Sequence, residues 1–243
     1  MDELKLANLE SGLTQLVESA ANCLKEDLVS VALFGSAAED RLRLHSDVNV
    51  LFVLERFSQT AVDGFREALR FAMASLNAQA MFLLRSELPA VATLFAVKFN
   101  DIRVRHRVLY GPDVLSNLII DERDLRRRLR EELLNLTIRL RERYAVISLR
   151  EEQLVSVIAN SAGPLRASAA ALMRLKAQEV SSPRDALEQL ANQTGNTAYV
   201  QAVQTMSVAR DVTFLQPGVA GPTVLQLSSL AEHLYKTLEE NMQ

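Results

Sequence analysis

Two short runs constrain this chain more than anything else in it. Residues 28–34 read LVSVALF and residues 48–54 read VNVLFVL, both almost continuously apolar. A strand with one wet face alternates apolar and polar residues; runs like these are expected to be covered on both faces. The sequence around them supplies the cover. Over 3–25, Leu6, Leu9, Leu13, Leu16, Val17, Ala20 and Leu24 recur at helical spacing, and Cys23 is expected to pack there as a small apolar group. Over 58–76, Val62, Phe65, Leu69, Phe71, Met73 and Leu76 do the same. A short strand is expected at 80–84, a helix start at 86–89 and a β-rich stretch over 94–110. In that last stretch Ile102, Val104, His106 and Val108 alternate with Arg103, Arg105 and Arg107, the period of a half-exposed strand. Tyr110-Gly111-Pro112 is expected to end it.

From about residue 121 the pattern turns wholly helical. Asp121 is placed to cap a long helix whose stripe is Leu125, Leu129, Leu133, Leu136 and Leu140. Further helices are expected near 150–162, 164–178, 183–193, 196–209 and 223–241. Gly163-Pro164 reads as a break and Ser182-Pro183 as a start. The reading is an α/β (α+β) domain over 1–118 followed by an all-helical bundle domain over 119–243. Scarce glycine (8), scarce proline (6) and no tryptophan argue against a turn-dense all-β chain.

Composition also excludes some functions. With 27 basic and 30 acidic residues the net charge is -3, so global charge gives no support for nucleic-acid binding. One cysteine and three histidines leave no intrachain disulfide and no Cys-based zinc site. No signal-peptide pattern and no membrane-spanning apolar run occur, and the expectation is a cytoplasmic protein with no membrane partner. Arg126, Arg127, Arg128 and Arg130 are read as a solvated helix face with carboxylate neighbours rather than an RNA patch. His106 is read as packed rather than catalytic.

The chemistry-bearing stretch runs from Gly35-Ser36, at the end of the first apolar run, across ten residues (37–46, the last of them Ser46) to Asp47-Val48-Asn49 at the start of the second. It resembles the nucleotidyltransferase superfamily of the DNA polymerase β type. That family has an apolar strand, Gly-Ser, about ten residues and then Ser-Asp-x-Asp. Tyr110-Gly111-Pro112-Asp113 resembles the post-strand segment of bacterial members with a helical C-terminal domain, the kanamycin nucleotidyltransferase kind. The resemblance implies that Gly35 and Ser36 receive nucleotide phosphates, since a glycine turn lets backbone N–H groups approach closely. It also implies carboxylates at i and i+2 of one strand, which share a face. With a third from a neighbouring strand they would hold Mg²⁺ for transfer of a nucleoside monophosphate to a hydroxyl.

The match is incomplete. Asp47 fits the first carboxylate, Asn49 stands at the second, and a third-strand reading of 94–110 puts Lys98 at the third. The family set carries three negative charges; Asp47, Asn49 and Lys98 sum to zero, as -1, 0 and +1. Lys98 as a site-modifying residue would pair with Asp47 and repel the metal. Glu39 and Asp40 add acid beside the phosphate turn. Asp101 is an alternative third carboxylate, of opposite strand parity to Lys98. Three readings follow. The first is a catalytically impaired, pseudoenzyme-like protein that binds a nucleoside triphosphate or a protein partner without a resident cofactor. The second is an active Mg²⁺-dependent transferase using Asp47 and Asn49. The third is a structural module whose Leu/Ala-rich helices form a homodimer.

Overall fold

The need to cover both faces of the two apolar runs sets the architecture. The computed structural model describes residues 3–39 and 47–240. Helix α1 (Glu3–Leu24) leads into β1 (Leu28–Phe34). Strand β2 (Val48–Leu54), α2 (Gln59–Leu76) and β3 (Ala78–Leu84) follow, then α3 (Leu88–Leu94), α4 (Ala96–Val104) and β4 (His106–Tyr110). The sheet order is β3-β2-β1-β4. β1 is antiparallel to both β2 and β4, while β3 runs parallel to β2, joined to it through α2.

The strand period divides the core in two. Val48, Val50, Phe52 and Leu54 of β2 face one side, where they pack with Leu9, Leu13, Leu16 and Ala20 of α1 and Phe65 and Ala72 of α2. There Phe52 stacks on Phe82 at a centroid distance of 5.0 Å and meets Phe65 edge-on at 5.4 Å. Leu51 and Val53 face the other side, against Leu88, Val91, Phe99, Ile102 and Leu115. Full burial of each such side chain contributes about 2 kcal/mol. Both apolar runs are thus covered twice, by helices on one face and by α3, α4 and the segment after β4 on the other.

The 94–110 stretch is not one strand. Residues 96–104 are helical, and pairing starts only at His106. Ala96, Val97, Phe99 and Ile102 are buried while Val104 is 68% exposed. The apolar residues therefore follow helical spacing, and the apparent period of two arose from arginines whose partners lie elsewhere. Arg103 donates to the Leu118 carbonyl at 3.2 Å and Arg107 to Glu10 at 2.6 Å. Strand β3 also begins two residues earlier than the 80–84 expectation.

The turn after β4 is closed by Asp113. Its carboxylate accepts from His106 Nε2 at 3.0 Å, from the backbone N–H groups of Leu115 and Ser116, and from the Ser116 hydroxyl. Burial pushes this carboxyl up. The Ser116 hydroxyl, the two backbone N–H groups and the His106 ring together outweigh it and hold the carboxyl well below the usual carboxylate range. A depressed folded value contributes stability that is full above the unfolded value of about 3.9 and is lost as pH falls toward the folded one. Asp113→Asn is therefore expected to unfold at lower urea concentration at neutral pH, and to lose less of its remaining stability than the parent on acidification below about pH 4. Urea melts across that range check this; equal acid slopes for the two proteins would refute it.

The chain forms two compact units, Met1–Leu94 with Phe99–Ile120 and Phe95–Lys98 with Asp121–Gln243. The second contains α5 (Glu122–Ile147), α6 (Glu151–Leu175), α7 (Pro183–Gln193), α8 (Thr197–Ala209) and α9 (Ala220–Glu240). Asp121 caps α5 by accepting from the Arg123 N–H at 2.7 Å, and Ser182 caps α7 by accepting from the Asp185 N–H at 3.1 Å. Gly163-Pro164 does not break the chain into two helices. α6 runs through it, because Ile158, Ala162, Leu165, Ala169 and Leu172 continue one buried stripe across the proline. Among the described residues no helix is long and apolar enough to cross a membrane.

Candidate functional site

The Gly-Ser turn forms where β1 leaves the sheet. Gly35 has φ +76°, in the left-handed region that glycine enters without strain. Its N–H donates to the Arg105 carbonyl at 3.1 Å, and its own carbonyl accepts from the Ala38 N–H at 3.1 Å. The Gly35 N–H is thus taken within the chain and Ala37 is fully buried, which leaves half-buried Ser36 as the residue of the turn open to an incoming anion. Phe34 stands opposite Asn49 across the β1–β2 ladder, so the turn lies beside Asn49. A Cβ on Gly35 would sit 3.8 Å from Asn49 Nδ2; that is ordinary contact, so backbone conformation rather than space calls for glycine.

Asp47 enters β2 and Asn49 follows two residues later, on the same face as Leu51 and Val53. Asn49 Nδ2 donates to the Asp47 carbonyl at 3.4 Å. The end of α2 brings a third polar group. Asn77 caps that helix at φ 52° and ψ 40°, its carbonyl accepts from the Val48 N–H at 3.1 Å, and its Nδ2 donates to Asp47 Oδ1 at 2.8 Å. β3 then runs alongside β2 with Gln79 in register with Asn49.

The neighbouring-strand residue beside Asn49 is thus Gln79. Lys98 lies on α4, and with no strand there the parity argument that set it beside Asp47 fails. The corrected set of Asp47, Asn49 and Gln79 carries a formal charge of -1. The alternative, Asp101, is also on α4, where Arg105 Nη1 reaches its carboxylate at 3.0 Å. Arg105 Nη2 binds Glu39 at 2.8 Å, so one guanidinium is shared by two carboxylates and offsets one of their two negative charges. Burial pushes the Asp101 carboxyl up, and Arg105 offsets this only in part. Burial works against the Arg105 charge, but its bonds to Glu39 and Asp101 prevail and hold the guanidinium protonated. Asp40, His45 and Ser46 lie outside the described residues.

Magnesium demands near-octahedral, hard and mostly anionic oxygen. Among the described residues beside Asn49, the anionic oxygen comes from Asp47, one of whose oxygens already accepts from Asn77, and Asn49, Asn77 and Gln79 are neutral amides. Among the described residues no three of His, Cys, Asp and Glu come together as a metal site. These residues do not fit a pair of Mg²⁺ ions. Gln79 escaped the sequence reading, although a signal was present. It is the one polar residue in 78–84, two residues after a helix-ending asparagine, where strand parity aims it the same way as Asn49.

No protein-family model matches the chain, and no curated sequence matches it. Among solved structures, the crystal structure of spectinomycin adenyltransferase AAD(9) from Enterococcus faecialis with ATP and spectinomycin matches at TM-score 0.64. The match is 12% identical and covers 92% of this chain and 99% of that one. This is the nucleotidyltransferase fold. At that identity the likeness lies in the backbone. Within the nucleotidyltransferase fold, the mixed sheet and the helical unit after it are the arrangement expected from Gly35-Ser36 and Asp47.

Proposed function

We propose that this chain is a nucleotidyltransferase-fold protein that binds a nucleotide without a resident metal pair and is impaired as a transferase. The observation that carries this reading is the β2–β3 register, which sets Gln79 against Asn49 beside Asp47. Among the described residues, one carboxylate among amides leaves little to draw Mg²⁺ to the site. Without metal the leaving pyrophosphate and the attacking hydroxyl lose the charge stabilisation this chemistry depends on. Phosphate capture is less affected. The turn at Gly35 keeps its left-handed glycine, and half-buried Ser36 offers its N–H and hydroxyl to phosphate without metal. Asn49 and Gln79 offer neutral hydrogen bonds in place of metal contacts.

The test is thermal unfolding of the full chain with each nucleoside triphosphate, with Mg²⁺ and with EDTA. ATP, the nucleotide in the solved neighbour, comes first. Nucleotide at about one hundred times its dissociation constant adds about 2.7 kcal/mol, or roughly 5–10 °C in Tm. The parent is expected to shift equally in EDTA and Mg²⁺ and to release no pyrophosphate with a hydroxyl acceptor. Combining Asn49→Asp with Gln79→Glu is expected to make binding Mg²⁺-dependent and about tenfold tighter with the metal than with EDTA. A parent shift that needs Mg²⁺ would favour the active transferase instead. No shift with any nucleotide would leave the protein-partner and homodimer readings.

A further inference from the structure

The helical unit holds a cleft of about 330 Å³ between α5 and α6, within the size range of small-molecule sites. Leu140 and Val157 form its apolar floor, and Arg139, Arg143, Ser156 and Asn160 stand around it. The arginines are the informative part. Elsewhere on α5, Arg126, Arg127, Arg128, Arg130 and Arg141 each hold a carboxylate. Arg139 and Arg143 hold none among the described residues. They are four apart, so two like charges share one helix face and repel. Across the cleft, Pro164 lines α6 and has no N–H, so the Asn160 carbonyl lacks its helical donor four residues on. The cleft therefore presents two forked cation donors, a hydroxyl, an amide and an acceptor carbonyl above an apolar floor.

We propose that this cleft is a binding site for a small oxyanion-bearing molecule, a phosphate monoester or carboxylate on a compact apolar body. The guanidinium forks of Arg139 and Arg143 take the anion in bidentate fashion, which relieves their mutual repulsion. The apolar body lies on Leu140 and Val157, while Ser156 and the Asn160 carbonyl meet polar substituents. This inference rests on residues of the helical unit alone and stands whether or not the nucleotide reading holds.

The probes are phenyl phosphate, benzoate and neutral phenol, titrated calorimetrically into the full chain at low and raised salt. At least one anion is expected to bind, with weakening as salt rises, and phenol to bind at least tenfold more weakly; the two anions distinguish phosphate from carboxylate as the preferred group. Arg143→Gln is expected to raise the dissociation constant of the bound anion at least tenfold, and Arg143→Lys, which keeps charge but loses the fork, to fall between. Both residues are exposed, so the unliganded Tm is expected to stay at the parent value. The ATP-induced Tm shift in Arg143→Gln is read beside it to keep the two sites apart. Failure of both anions to bind overturns the proposal. So does binding that survives Arg143→Gln but is lost with Ser36→Pro, which would place the anion at the nucleotide turn.

Discussion

Gly111→Ala is expected to destabilise the sheet-containing unit by about 3 kcal/mol, lowering Tm by roughly 6–12 °C. Gly111 follows β4 at φ +73°, and an added Cβ there would lie 2.1 Å from the Val29 carbonyl oxygen and 3.3 Å from the Ser30 Cα. Both contacts are backbone, so no side-chain rotation relieves them. Relief requires β1 and β4 to part where their register already shifts, between Val31 and Ala32. β1 is an interior strand of the sheet, so the damage reaches both core layers. Gly195 separates conformation from crowding. It has a similar φ of +68°, but nothing lies within 4 Å of its missing Cβ, so Gly195→Ala should cost only about 1 kcal/mol, the left-handed penalty. Urea melts of the two variants measure the difference. Equal losses would mean that the close approach of Gly111 to Val29 contributes nothing.

The legible parts of this fold are those that depend on neighbours in sequence. The apolar runs of β1 and β2, the glycine that ends β1, the stripe of α5 and the caps at Asp121 and Ser182 could all be read from local pattern. Lys98 was misplaced because Ile102, Val104 and His106 imitate a strand; whether Val104 is buried depends on what covers it, which no local pattern contains. Gln79 was missed although Asn77, a residue that tolerates the left-handed region, marks the end of α2; with the start of β3 set two residues late, at Ala80, Gln79 fell outside the strand. Pro164 was overrated as a helix breaker because one missing hydrogen bond was set against a buried stripe that only the assembled bundle supplies. The arginines were the least legible. Arg107 finds its carboxylate 97 residues away, and Arg105 binds one four residues back and another 66 residues away.

That distant pairing sets the second large expectation, at Arg105. Arg105→Met is expected to cost about 3–5 kcal/mol, the usual loss when one partner of a buried ion network is removed. The side chains of Arg105, Glu39 and Asp101 are 17%, 23% and 21% exposed, so the two carboxylates would face each other poorly solvated with no cation between them. The pH dependence follows from the direction at Asp101, whose carboxyl burial already pushes up. Without Arg105 it rises further above its unfolded value, and the folded state then takes up a proton that the unfolded chain releases. The variant should therefore recover stability as pH falls from about 7 toward 5, before the Asp113 loss begins. Adding Glu39→Gln and Asp101→Asn should restore much of the stability at neutral pH, since no unpaired charge stays buried. The Arg105 carbonyl also accepts the Gly35 N–H while its side chain grips Glu39. One residue thus anchors both ends of the Gly-Ser turn. If that turn receives phosphate, Arg105→Met should lose most of the ATP-induced melting shift even where pH has restored stability. A variant that regains stability on acidification and still shows the parental shift would separate the turn from nucleotide binding.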